Sequence, residues 1–516
     1  MNRLYWFSML LVLIIAFILS LDGATRYTIR RDELTTLGHI GALQKDSSGV
    51  TITHTVESLA QHSADHAPLF YILLNEWGEL VDFHYFALRM VSIWFGLIAI
   101  AGTYWVGRQL GNHLIGLLGA LLFATNAVFY SNVHEIREWT MLTMIIILTW
   151  GYYWYLINKT IRIKWYQYLI LFTLTVVGLY TNYLSIILWI AIGIYHLLEV
   201  PKTPKWWGVS LTVAIGGITF VPWLPVFIRG LGFAQSHIDR ENPKLINTLE
   251  LIELSSSFWS NGMAVLFVLG IGISIYYSWK NWQSARLIVF FLVMMLGSVI
   301  IINEIFPFLK RMRYLLFLVM PFCLFISYGL VQLSKIRIFR LLPVIVAVVW
   351  IFMGYQYTYS DTFNFYTTKD RTLKYTEYNQ LIPLLNYLDA SKDLFIQTNY
   401  EYSALRPSKQ GLKSINDYYL DDLPMTWVNF PQYIEWQDSG IDMTPLEYAT
   451  SLLPQYGRFW LNYHEDRVTE DVQIFMDIVE QDYGVCLRIE YGKRSVLIRY
   501  VLDNERFTER CITELP

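Results

Sequence analysis

Apolar runs of membrane-spanning length alternate with short polar breaks through most of this chain. A spanning α-helix needs roughly 20 mostly apolar residues. Eleven runs approach that length, at about 4–21, 86–107, 114–130, 139–157, 165–179, 183–199, 207–228, 262–279, 285–302, 314–333 and 339–356. The fifth and sixth are separated only by Thr181-Asn182-Tyr183. From residue 357 the pattern shortens. YNQLIPLLNYL, Tyr378 to Leu388, has helical spacing. DLFIQTN, Asp393 to Asn399, and RFWLNYH, Arg458 to His464, read as buried strands. EDVQIFMDIVEQDYG reads as a helix, and VCLRIEYGKRSVLIRYV as a hairpin turned at Tyr491-Gly492-Lys493. The pattern predicts a polytopic α-helical membrane domain, residues 1–356, and a soluble α/β domain, residues 357–516. TYSDTFNFYTTKD, Thr358 to Asp370, reads as the linker.

Charge supports this division. Charged residues make up 16% of the 516-residue chain, against roughly 25% in soluble proteins. Residues 1–356 carry 24 Lys+Arg against 17 Asp+Glu, a balance of +7; the remainder carries 15 against 25, a balance of -10. Alternate connections between the runs hold Arg3, then Arg108, then Lys159, Arg162 and Lys164, then Lys202 and Lys205, then Lys280 and Arg286, then Lys335, Arg337 and Arg340. The only acid among them is Glu199, at a helix end. By the positive-inside rule these connections are cytoplasmic. The N-terminus is then cytoplasmic and residues 357–516 extracytoplasmic, at the cell membrane. The first run is longer than the core of a usual signal peptide and no small-residue cleavage pattern follows, so it is expected to be retained.

The candidate chemistry lies in the outer loops. The first, Asp22 to Tyr85, contains RRDELTTLG with the acidic pair Asp32-Glu33. It continues with DHAPLFYILLNEW, Asp65 to Trp77, which reads as a surface helix with Asp65 as its N-cap. The second, Tyr130 to Trp139, carries His134, Glu135, Arg137 and Glu138. A later loop ends in Lys310, Arg311 and Arg313 at an outward-facing helix start, where free N–H groups already favour anions. The basic cluster equally suits snorkelling to lipid phosphates. A carboxylate base, arginines for a phosphate and a membrane to hold a lipid tail fit transfer from a lipid phosphate to a hydroxyl.

The order of these elements resembles the GT-C fold glycosyltransferases, multi-spanning enzymes that use polyprenyl-phosphate sugars. The resemblance lies with the bacterial relatives of protein O-mannosyltransferases, including the aminoarabinose transferase of lipid A and the Rgt-type lipopolysaccharide-core transferases. It rests on Asp32-Glu33 after the first helix, then His66-Ala67-Pro68-Leu69-Phe70-Tyr71, then Leu88-Arg89-Met90-Val91-Ser92. The run from Gly107 to Trp139 follows, closing on Glu135 and Arg137; VPWLP, Val221 to Pro225, and MRYLLFLVMP, Met312 to Pro321, complete it. The match covers roughly residues 1–330. Ala67 replaces a family Pro, Trp139 a Tyr, and Asn182 a His in the Tyr-Thr-His-Tyr element, which bears most on the choice of acceptor.

The resemblance implies an inverting glycosyltransferase with Asp32 as general base and Glu33 as a second candidate or positioning group. It implies that Glu135 orients acceptor or sugar. Arg137, Lys310, Arg311, Arg313 and Tyr314 of the Arg-Tyr element are candidates for holding the donor, with Arg313 foremost for its phosphate. His66 binds phosphate or sugar, or begins its helix without chemistry; Arg89 anchors its helix at the interface. The implied partners are a polyprenyl-phosphate sugar and a lipid, glycan or protein acceptor, with no nucleic acid. No cofactor is expected, because no fixed-spacing metal-ligand motif appears, although some GT-C branches use a divalent ion. A transporter or flippase of a lipid-linked sugar and a non-catalytic family member are the rival readings. Cys323 reads as packing; Cys486 and Cys511 fit one disulfide or two free thiols equally well.

Overall fold

The computed structural model describes residues 2–26, 29, 31–42, 51–159, 162–241, 246–248, 250–251, 259–263, 276, 282–309, 312–359, 381, 393–398, 426–429, 447, 450–451, 453–455, 457–465, 468, 470–491 and 495–502. Its longer helices, in chain order, are α1 (Asn2–Arg26), α2 (Arg31–His39), α3 (Ile52–His62), α4 (Leu69–Leu80), α5 (Tyr85–Leu110), α6 (His113–Ala124), α7 (Ala127–Asn132), α8 (Trp139–Asn158), α9 (Trp165–Thr181), α10 (Ile186–Glu199), α11 (Pro204–Ile218), α12 (Leu224–Glu241), α13 (Trp282–Ile305), α14 (Leu316–Leu333), α15 (Leu342–Tyr359) and α16 (Glu470–Asp482). Two compact units divide the chain: Met1–Ala24 with Val50–Phe363, and Thr25–Gly49 with Asn364–Pro516.

The first unit is helical. Among the described residues, seven helical segments are long and apolar enough to cross a membrane: Arg3–Thr25, Tyr85–Leu110, Trp139–Asn158, Pro204–Gly232, Leu287–Ile305, Met312–Leu333 and Arg337–Gln356. His113–Ala124 and Tyr183–Glu199 are shorter apolar helices. The run expected at 262–279 lies mostly outside the described residues. α14 is the inner pillar, with all but one of its residues buried, and packs against α6, α8 and α13. α5 packs on both α6 and α8. Glycine makes the α5–α6 approach: a Cβ on Gly107 would lie 2.7 Å from Gly116 Cα, and one on Gly116 would lie 2.4 Å from Tyr104 O.

The single run expected at 114–130 is two helices. Asn126 interrupts it, its side chain accepting from the amides of Val128 and Phe129 to cap α7. Asn261 braces the break from the opposite side. Its Oδ1 accepts from Asn126 Nδ2 and Ala127 N, and its Nδ2 donates to Thr125 O and Trp350 O. Asn261 has φ 53°, a left-handed conformation that asparagine tolerates better than most residues. At the other expected break, α9 ends at Thr181 and the Asn182 side chain accepts from Leu184 N to start a short 3-10 turn before α10.

Two further expectations change. α4 begins at Leu69 behind Pro68, so Asp65 is not its N-cap. Pro68 lacks an N–H and sits at the cap position itself, while Asp65 lies in the preceding turn, where His66 N donates to Ser63 O. Arg89 is enclosed by protein rather than exposed. It is fully buried and donates to Ala24 O at 2.7 Å, tying α5 to the end of α1.

The second unit contains a five-stranded sheet in the order β2-β1-β3-β5-β4, with β1 Leu394–Gln397, β2 Thr426–Asn429, β3 Arg458–His464, β4 Tyr483–Tyr491 and β5 Ser495–Leu502. β1 pairs parallel with β2 and β3; β3, β5 and β4 pair antiparallel. β3 and the β4–β5 hairpin fall where the alternation placed them, and α16 follows its helical run. Phe475 and Val479 of α16 join Leu394, Phe459 and Tyr500 in one apolar core. Asp393, at the start of β1, is buried and takes Arg458 and Trp460 Nε1 as partners. The hairpin turn, the run 378–388 apart from Leu381, and nearly all of the expected linker lie outside the described residues. Cys486 is disulfide-bonded, Cys323 is a buried free thiol, and Cys511 lies outside the described residues.

Candidate functional site

The segment Val133–Glu138 joins α7 to α8 and is buried throughout. Arg137 N donates to Glu135 O at 2.7 Å in a tight turn, and Leu142 N to Glu138 O at 2.8 Å as α8 begins. Ser92 Oγ, from the Leu-Arg-x-x-Ser element, donates to Arg137 O at 3.4 Å. The charged side chains of Glu135, Arg137 and Glu138, with the imidazole of His134 beside them, thus leave one short segment below the protein surface. Buried charges persist only when paired, and the structure pairs them in two separate sets.

Glu135 goes with Arg313. Arg313 Nη1 donates to Glu135 Oε1 and Oε2 at 3.3 and 3.1 Å, with the two side chains 1–2% exposed. The Arg313 guanidinium lies 5.9 Å from the Tyr314 ring centroid, and Tyr314 stacks on Trp139 at 4.8 Å. Tyr314 is also among the groups that act electrostatically on Arg137. The sequence pairs Glu135 with Arg137 as one acid-and-base element; the fold turns them to different partners.

Arg137 goes with Glu138 and His66. Arg137 Nη2 donates to His66 Nε2 at 3.2 Å, and Arg137 Nε lies 3.6 Å from Glu138 Oε2. His66 Nδ1 lies 3.1 Å from Glu138 Oε1, which also accepts from Asn182 Nδ2 at 3.2 Å. Burial alone would raise the Glu138 carboxyl; Arg137 and His66 outweigh it and hold it down to about 2. The same attraction, against its own burial, holds Arg137 protonated. The backbone at His66 is fixed too. Tyr183 OH accepts from Trp223 Nε1 at 2.8 Å and is set to donate to Ala64 O or His66 O, at 3.1 and 3.0 Å. Trp223 belongs to the VPWLP element.

His66 and Arg137 are therefore brought together, and Glu135, Arg313 and Tyr314 form the neighbouring set. Asp32 and Glu33 belong to the second compact unit, in the first turn of α2, where carboxylates complement the helix dipole. Asp32 is half-buried and Glu33 buried. Lys310 and Arg311 lie outside the described residues. Sequence reasoning missed Glu138, Asn182, Tyr183 and Trp223 as parts of the set. Asn182 was legible as part of a polar break and as a departure from a family histidine; in the fold it supplies a donor to Glu138. Among the described residues, no group of three or more His, Cys, Asp or Glu side chains is placed to hold a metal ion.

Residues 65–228, which contain His66, Arg137, Glu138, Asn182 and Trp223, match the family model described as dolichyl-phosphate-mannose-protein mannosyltransferase. The structure is similar to ArnT from Cupriavidus metallidurans in the apo state, with TM-score 0.52 and 10% identity over 97% of this chain and 98% of that one. It is also similar to the same protein bound to undecaprenyl phosphate, with TM-score 0.50 and 11% identity over 95% and 97%. No curated protein sequence matches the chain. The fold so defined is the GT-C membrane fold. Within it this chain is a multi-pass membrane protein whose likeness in fold to ArnT extends over nearly its whole length.

Proposed function

We propose that the protein is an inverting glycosyltransferase that moves a sugar from a polyprenyl-phosphate donor to a hydroxyl of a lipid, glycan or protein, at the outer face of the cytoplasmic membrane. The observation that carries this reading is the family-model match over 65–228, because it spans the buried Arg137–His66–Glu138 set. The fold shared with a protein that holds undecaprenyl phosphate supports a lipid-phosphate donor. In the proposed step the acceptor oxygen bonds to the anomeric carbon as the bond to the phosphate oxygen breaks. The hydroxyl proton passes to Asp32, and polyprenyl phosphate departs with the electron pair. A carboxylate of ordinary pKa, about 4, is ionised at neutral pH and accepts that proton as the new bond forms. Arg137, with Lys310, Arg311 and Arg313, neutralises the leaving phosphate. Glu135 and Tyr314 hold Arg313, and Glu33 supports Asp32.

The test supplies polyprenyl-phosphate sugars to the purified protein and measures released polyprenyl phosphate. Native turnover on at least one donor is expected. Asp32→Asn should lose about a hundredfold or more of the rate while still binding donor. Native turnover that survives Asp32→Asn removes Asp32 as the base; absence of turnover and of donor binding across the panel removes the reading itself.

A further inference from the structure

Glu138 has no role in the reading above, yet its buried carboxylate meets His66, Arg137 and Asn182. We propose that Glu138 is a positioning residue. Its buried carboxylate fixes His66 in one tautomer, and His66 in turn aims the Arg137 guanidinium.

The argument begins with hydrogen-bonding capacity. An ionised carboxylate only accepts and a guanidinium only donates. His66 Nδ1 faces Glu138 Oε1 at 3.1 Å, so Nδ1 carries the proton. His66 Nε2 faces Arg137 Nη2 at 3.2 Å, with Asp65 Oδ2 beyond hydrogen-bond range at 3.8 Å, so the closer guanidinium assigns the lone pair to Nε2. The imidazole is thereby a neutral relay with a donor on one side and an acceptor on the other. A second ring N–H would point at an Arg137 N–H, so the Arg137 contact favours the neutral ring.

Glu138 acts on Arg137 by two routes: Oε2 lies 3.6 Å from Arg137 Nε as an ion pair beyond hydrogen-bond range, and Oε1 reaches Arg137 through His66. Asn182 Nδ2 holds Oε1 at 3.2 Å from a different helix connection. Tyr183 and Trp223 fix the His66 backbone, so the ring has little freedom to leave the relay. The set is also graded. Side-chain exposure falls from 40% at Asp65 through 16% at His66 and 7% at Arg137 to 1% at Glu138. The charge nearest the surface is therefore backed by an opposite charge progressively further in. A misdirected Arg137 would still attract an anion, but it would meet the departing phosphate oxygen badly. The effect of losing Glu138 should therefore appear in the rate of the bound complex.

This inference rests on the glycosyltransferase reading only for its kinetic arm. In the intact protein labelled with 15N-histidine, His66, assigned by comparison with His66→Asn, should show the proton on Nδ1, and Glu138→Gln should shift that resonance. With the donor found active above, E138Q should lower kcat about ten- to a hundredfold per folded molecule, with KM changed less than threefold. If E138Q does not fold, Asn182→Ala removes one donor to the same oxygen and should give a kcat loss of three- to tenfold, on the same ground of misalignment. A proton on Nε2 in the native protein overturns the proposal. So does a variant with native kcat per folded molecule and merely a lower melting temperature, the pattern of a purely structural carboxylate. If the native protein turns over no donor, the glycosyltransferase reading fails, while the tautomer measurement still decides whether Glu138 orders His66.

Discussion

The two charged sets that leave the α7–α8 segment differ in how they are enclosed. Glu135 and Arg313 form a closed pair, both ends shut away and both Glu135 oxygens on one guanidinium nitrogen. The Glu138 set is open at one end, with its shielding graded from Asp65 inward. A closed pair is expected to act mainly on folding, because breaking it strands a charge away from water. A graded set is expected to act on a ligand, because its outer members meet solvent and its inner ones control their orientation. Only two residues lie between Glu135 and Glu138, so enclosure rather than position in the chain distinguishes the two sets.

The strongest way to break this comparison is to empty the closed pair. Arg313→Ala leaves Glu135 buried without its guanidinium and should cost about 3–5 kcal/mol. Thermal unfolding in detergent reads this as a large fall in melting temperature. The double variant Glu135→Leu with Arg313→Met replaces charge by volume and should recover most of that stability. If it also recovers native turnover, Arg313 has no part in holding the donor and the pair is purely architectural. If stability returns without turnover, the phosphate role proposed for Arg313 stands.

A smaller effect sharpens the other side. Glu138 is held down to about 2, below its ordinary 4.5. A depressed carboxylate contributes stability in full above its unfolded pKa and loses it as pH falls toward the folded one. Glu138 should therefore leave stability unchanged from pH 5 to 8 and contribute to a decline below about pH 4.5. Melting curves against pH should show E138Q less stable at neutrality and flatter in acid; a native-like acid slope in E138Q would show that the charge is not held by its neighbours. The smallest effect expected is none. We propose that turnover needs no divalent ion, so EDTA should leave the rate within experimental scatter, and a loss restored by a divalent ion would reverse that assignment.

Much of the fold is legible because membrane helices announce themselves by composition and the hairpin by alternation. The expected run at 114–130 shows where that reading stops. An asparagine inside an apolar run is a weak polar signal until Asn261, far along the chain, is seen to answer it. The site follows the same rule. His66 and Arg137 are conspicuous as polar residues between apolar runs, and their motifs place them in order. Their contact spans 71 positions, and only the fold supplies it. Glu138 had one local signal, a carboxylate directly before an apolar helix. Asn182 had another, as a polar break between two spans. Neither identifies the other as its partner, because hydrogen bonds across helices leave no periodic trace.

The break at Asn126 has a consequence for where the reaction is staged. α6 has 12 residues and so rises only about 18 Å, well short of the roughly 30 Å of a bilayer's hydrocarbon. The Asn126–Asn261 bonds satisfy the interrupted backbone from within the protein, so the chain can end this helix early without bringing in water. α7 adds six residues, about 9 Å of rise, before the chain reaches the segment from Val133 to Glu138. Under the proposed reading, a lipid phosphate reaching that segment meets charged side chains backed by protein rather than by water.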